Sequence, residues 1–154
     1  MAAELAESVE AITEALRDAV EAMVAAPGSP IADVKSVVRG DRARPMPDLP
    51  SVWIVPQLAQ MDQATYGEET WSLPVSIAAL VQGDTPETAG RDSQRIAAHA
   101  RRAALHAREA AASNGAEVTD IVSESFDPTA RNSERNRTLF WTEAVVRVTF
   151  TVNE

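Results

Sequence analysis

Two stretches of strict alternation constrain this chain more than anything else in it. Trp71, Leu73, Val75, Ile77, Ala79 and Val81 take every odd position, with Thr70, Ser72 and Ser76 between them. Near the end of the chain Phe140, Thr142, Ala144, Val146, Val148, Phe150 and Val152 repeat the pattern on even positions. Side chains along a strand point alternately to opposite faces, so each stretch predicts a long strand with one apolar face. Such a face has to lie against a second layer.

Two helical segments supply that layer. Leu5, Val9, Ile12, Leu16, Val20, Met23 and Val24 follow in steps of four and three, one stripe down an amphipathic helix. Ala-Ala-Pro-Gly-Ser-Pro at 25–30 stops it. A second long helix is expected from Pro86 to about Ser113, capped by Asp84 or Thr85 and ended by Asn114-Gly115. Its large apolar residues are sparse, but Ala97, Ala100, Ala103, Ala104 and Ala107 allow close approach to a sheet.

The remaining segments read as strands and loops. Residues 31–39, rich in β-branched side chains, predict a first strand closed by Gly40, and a proline-bearing loop runs from Asp41 to Pro50. Ser51–Leu58 is a second strand, in which Pro56 marks an edge, a bulge or the exit. Residues 59–70 read as a loop, Val118–Phe126 as a fourth strand, and 127–138 as a loop or hairpin tip. The order α-β-β-β-α-β-β argues for an α+β fold in a single domain over residues 1–154, with two long helices on a mixed or antiparallel sheet. The first three strands are expected as a meander, and the last two as a long hairpin reached after the second helix crosses over.

The sequence carries little that could do chemistry. It has no cysteine, no phosphate-binding glycine loop, no HExxH, no GxSxG and no EF-hand loop, so no catalytic, cofactor-binding or metal-ligating residue is assigned. His99 and His106 are the only histidines. Seven residues apart on one helix, they stand about 10 Å from each other, too far to share an ion. Glu68 and Glu69 read as a solvated turn rather than an acid–base pair. Arg131, Arg135 and Arg137 fall in the 127–138 loop with Asn132 and Asn136, a composition that can touch a phosphate backbone but whose default reading is a hydrophilic hairpin tip.

The formal charge of -9 disfavours tight nucleic-acid binding. It is unevenly spread: residues 1–26 hold six acids and only Arg17, whereas residues 85–115 hold five arginines against Glu87, Asp92 and Glu109. Two solvated helix faces of different sign are the default reading of that asymmetry, and partner contacts between unlike faces are the alternative. The first residues are acidic where a secretory leader is basic, and no apolar run approaches the roughly 20 residues that span a bilayer, so neither a leader nor a membrane contact is expected.

Six aromatic residues fall in strand-like segments: Trp53, Trp71, Phe126, Phe140, Trp141 and Phe150. Trp53 and Trp141 lie on the parity opposite to the core stripes or near a strand end, which suggests either a subunit contact or simple packing under a loop. The other aromatics and the alanines are scattered, which leaves a polar interface or pairing of edge strands as further ways to join subunits.

The layout as a whole resembles a known family. A long amphipathic helix is followed by ADVKSVVRG, a proline-rich loop, LPSVWIVPQ, the alternating strand EETWSLPVSIAALVQG, the helix DTPETAGRDSQRIAAHARRAAL and the strand LFWTEAVVRVTFTV. Over about residues 5–152 this order and spacing is similar to that of the tail-terminator proteins of long-tailed bacteriophages, also called tail-completion or head-to-tail joining proteins. The resemblance implies a structural role without a reaction. Subunits form a homo-oligomeric, six-membered ring that caps the tail tube, ends its polymerisation and joins a neck protein of the head.

By the same resemblance helices pack on one side of the sheet, which contributes to the inside of the ring, and DNA passes through the channel without sequence-specific binding. An acidic subunit suits such a channel, because like charge repels the duplex where a basic wall holds it. The implied location is the head–tail junction of the virion, after synthesis in the host cytoplasm. The 59–70 loop, with Tyr66, Glu68 and Glu69, and the 127–138 tip, with Arg131, Arg135 and Arg137, are the expected contacts beyond the subunit, alongside Trp53 and Trp141. Another phage neck or minor tail protein, and a non-viral protein-binding adaptor, are the alternatives.

Overall fold

The computed structural model describes residues 2–42, 45–133 and 136–153. The chain begins with helix α1 (Ala2–Ala25), passes through strands β1 (Ser36–Arg39), β2 (Ser51–Pro56), β3 (Gln60–Thr65) and β4 (Glu68–Gln82), and then enters a π-helical turn at Pro86–Gly90. Helices α2 (Arg91–Leu105) and α3 (Arg108–Ser113) and strands β5 (Glu117–Phe126), β6 (Arg131–Asn132) and β7 (Leu139–Asn153) complete it. The result is the expected α+β architecture, a mixed sheet in the order β1-β2-β4-β7-β5, with β3 added to β4 and β6 to β7.

The two alternating stretches lie side by side at the centre of the sheet. β4 and β7 pair antiparallel along their full lengths, from Glu68 opposite Asn153 to Gln82 opposite Leu139. Their apolar stripes share one face: Leu73, Val75, Ile77 and Ala79 are fully buried, as are Val146, Val148 and Phe150. The helices lie on this face. Ile12, Leu16 and Val20 of α1 and Ile96, Ala97, Ala100 and Ala104 of α2 are wholly buried against it. The alanines of α2 bring its backbone close to β7, and a buried hydroxyl pair fixes the approach. Ser93 Oγ lies 2.8 Å from Thr142 Oγ1 on β7 and also donates to the Gly90 carbonyl at 2.8 Å.

Several expectations are corrected. The first strand is only Ser36–Arg39, because the amide hydrogen of Ile31 is taken by Ser29 Oγ and that of Val34 by the Ile31 carbonyl, which folds 31–34 into a turn. The first three strands are not a meander: β1 runs parallel to β2, Ser36 beside Ser51.

Residues 59–70 are not a loop either. β3 pairs antiparallel with the start of β4, and Tyr66-Gly67 forms the turn, with Gly67 at φ +81. Every β3 side chain is exposed, so no burial pattern advertised the strand. The second long helix is broken at His106 and Ala107, whose amides bond back three residues, to Ala103 and Ala104; the tightening brings Ala107 and Ala111 into the core. His106 therefore caps α2 instead of continuing the face of His99. In the 127–138 segment, Arg131 and Asn132 pair with Trp141 and Phe140. The final hairpin stands as expected, β5 against β7, with register shifts between Val118 and Asp120 and between Ser123 and Ser125.

Candidate functional site

Because the helices cover one face of the sheet, the side chains of opposite parity on β2, β4 and β7 form an open face. The register sets them in rows: Trp53 opposite Ala78 and Ala78 opposite Glu143, then Leu80 opposite Trp141. Together with Val55, Gln57 and Ser76 they line a shallow groove of about 320 Å3. Trp53 and Trp141 stand on the two strands flanking β4, about 10 Å apart across the sheet by the usual interstrand spacing. The sequence-based expectation placed both indoles off the core parity; the fold brings them onto one patch.

The groove is firmly built. Trp53 Nε1 donates to Ser51 Oγ at 2.8 Å, which satisfies the indole nitrogen and leaves the ring as an apolar wall. Behind it, Gly40 has no room for a side chain: a Cβ there would meet Val55 Cγ2 at 2.6 Å and Trp53 Cε3 at 2.8 Å. Ser76 Oγ donates to Glu143 Oε2 at 2.6 Å. Among the described residues Glu143 is the groove's only charged one, and its bond to Ser76 holds the carboxylate against the apolar floor. Sequence reading missed Glu143, Val55 and Leu80. The signal was present, since the non-core parity of both long strands carries Leu80 and Trp141 at paired positions.

The other expected contact residues lie elsewhere. Tyr66 is fully exposed at the tip of the β3–β4 hairpin, with Leu58 and Met61 exposed along the same edge. Glu68 and Glu69 are strand residues at the start of β4, paired with Thr65 and Ala64. This edge carries its own protection against strand addition, a register shift between Met61 and Gln63, with Asp62 bonded to Ser72. The arginines of the 127–138 tip do not form one basic site. Arg131 is held by Asp127 at 3.2 Å, Arg137 is exposed, and Arg135 lies outside the described residues. The Asp127 carboxyl sits below the ordinary range because it accepts from the Thr129 amide and then from Arg131.

A second charged centre, also missed from sequence, anchors α1 to the sheet. The Arg39 guanidinium is 5% exposed and grips Asp41 with two bonds of 2.9 and 2.8 Å, Glu14 at 2.9 Å and Glu10 at 3.2 Å. Burial pushes the Arg39 proton affinity down, but the three carboxylates outweigh it and the net shift is upward. Glu10 is held below the ordinary carboxylate range by Arg42 first and Arg39 second. Burial pushes Glu14 up, yet Arg17 and Arg39 together bring it down, and Arg39 lowers Asp41. Residues four apart on one helix face, Glu10 and Glu14, were its only sequence trace.

Among the described residues no group of three or more histidine, cysteine, aspartate or glutamate side chains converges as a metal site. No described helix is long and apolar enough to cross a membrane. Two kinds of surface are open on the described residues, the outer face of the sheet and the charged outer sides of the helices.

No protein-family model matches the sequence, and no curated protein matches it. Among solved structures, the fold is similar to a chain in a structure described as the virion of a native gene transfer agent particle. The identity is 12%, the match covers 92% of this chain and 98% of that one, and the TM-score is 0.48.

Proposed function

We propose that this chain is a virion structural protein of a phage-type particle, whose subunits join in a ring that caps the tail tube, ends its polymerisation and links the tail to the head. The single observation that carries the reading is the open sheet face, where Trp53, Leu80 and Trp141 are gathered on one side of a sheet whose other side is already filled. Clustered indoles around a fixed carboxylate are a surface for burial against protein. The element order that resembles tail terminators supports the same reading. The partners are further copies of this chain, six in the ring, then the tail tube protein below and a neck protein above. DNA passes through the hole without sequence-specific binding. An apolar face is a poor wall for a water-filled channel, so the hole is lined by the polar hairpin and the sheet edges.

The experiment is negative-stain imaging of the purified protein across a concentration series, with its solution mass measured by sedimentation. Rings of about six subunits around a hole wide enough for duplex DNA are expected. A monomer at every concentration, with or without purified tail tubes, overturns the reading and favours a single-partner adaptor.

A further inference from the structure

The open face needs an occupant whose chemistry matches it: a ridge of small or apolar side chains that carries a cation to Glu143. Most of the chain's own exposed surface fails this requirement. The solvent side of α1 bears Glu7, Glu14 and Asp18, the β3–β4 hairpin bears Glu68 and Glu69, and each would set like charge against Glu143. Helix α2 is different. Its buried side is Ile96, Ala97, Ala100 and Ala104, so the opposite side faces away from the sheet.

On that outer side Ala98 is partly exposed, with Arg101 and Arg102 one turn further on, whereas Leu105 packs back against the core. Ala98, Arg101 and Arg102 fall within little more than one turn, about 6 Å of helix. Arg95 is already engaged by Asp33 at 2.8 Å. By contrast, neither Arg101 nor Arg102 has a carboxylate within ion-pairing distance among the described residues.

We infer that the open sheet face of one subunit is covered by helix α2 of a second copy, with Arg101 and Arg102 reaching Glu143 between the indoles of Trp53 and Trp141. This inference rests on the ring reading only in its choice of partner. The carboxylate that Ser76 holds in place supplies the acceptor, and the two indole faces add attraction for a guanidinium. Arginine suits the site better than lysine because its planar group can stack and donate at once. The two complementary surfaces lie on opposite sides of one subunit, so they cannot meet within a chain. Each copy therefore offers one surface forward and the other behind, a head-to-tail contact that closes into a ring or grows into a filament.

The test is sedimentation velocity on full-length protein at about 50 mM and about 500 mM salt, where surface and partly buried ion pairs separate by screening. Glu143→Arg alone, and Arg101→Glu with Arg102→Glu, should each weaken self-association by about tenfold or more, the loss expected from one desolvated ion pair. Mixed one to one, the two broken proteins should associate again, since each supplies the surface the other lacks or its charge-reversed complement. The combined triple variant should recover as well. Glu143→Gln, which keeps a hydrogen-bonding group for Ser76, separates loss of charge from loss of fold, and Glu7→Arg serves as an unaffected control. Rings that form equally in every variant overturn the inference and leave the ring reading standing. Variant-sensitive open filaments that never close overturn the ring reading and keep the interface, and a monomer throughout overturns both.

Discussion

Replacing Arg39 with methionine removes the cation at the centre of the anchor between α1 and β1. The stem is retained in length, so the change isolates the guanidinium. Removing one partner of a buried ion pair costs about 3–5 kcal/mol when the remaining charge stays buried. Here the carboxylates left behind are 48%, 27% and 30% exposed, at Glu10, Glu14 and Asp41. They regain water, and Glu10 keeps Arg42 while Glu14 keeps Arg17. The cost falls to about 2 kcal/mol, which for a domain of this size lowers the melting temperature by about 4–8 °C. The assay is urea and thermal unfolding followed by circular dichroism, for both proteins at several pH values.

The pH dependence supplies the refutation. Glu10, Glu14 and Asp41 all have folded-state proton affinities below the ordinary carboxylate value. Their contribution is therefore fully present above the unfolded value near pH 4, and is lost as pH falls through the lowered folded values. The gap between wild type and Arg39→Met should be complete at neutral pH and shrink steadily below about pH 4. A gap that persists unchanged at pH 3 would refute the ion-pair account of Arg39, because the three carboxylates are then largely protonated in the unfolded chain. A gap under about 0.5 kcal/mol at neutral pH would show that the network contributes nothing.

Three further outcomes follow from the packing. Gly40→Ala drives a methyl into Val55 and Trp53; a cost of about 1–3 kcal/mol and a red-shifted tryptophan emission are expected, and an unchanged spectrum refutes the contact. Ser93→Ala leaves the Thr142 hydroxyl without its partner in a fully buried position, for a loss of about 1–3 kcal/mol in urea unfolding. Ile77→Ala opens a cavity at the middle of β4, where the side chain is wholly buried, and should cost about 2–5 kcal/mol by the same measurement.

The strands and helices that carry a burial pattern were legible in the sequence, and those without one were not. β4, β7 and α1 announced themselves because each buries one face, and burial imposes a period of two or of three to four on the residue types. β3 had no such pattern. Its six exposed residues are held by backbone bonds to β4, and those bonds are the same for any side chain. The break between α2 and α3 was hidden for a related reason, since alanine suits both a helix and a tight turn and the choice is made by what Ala107 and Ala111 pack against. At the candidate site, parity marked Trp53 and Trp141 as facing away from the core, while Glu143, which gives the groove its charge, read as one more surface acid.

By itself the sequence determined that this chain makes two long half-buried strands, covers them with helices on one side, and carries acid at one end and arginine in the middle. Only the tertiary structure decided that β1 runs parallel to β2, that two tryptophans 88 positions apart share a groove, and that Arg39 meets carboxylates from a helix 25 and 29 residues away. Periodicity is a local property, written wherever a side chain meets water or the core. Which strand lies beside which depends on backbone hydrogen bonds that carry no residue identity, and on loop paths that are settled only when the whole sheet closes over its helices.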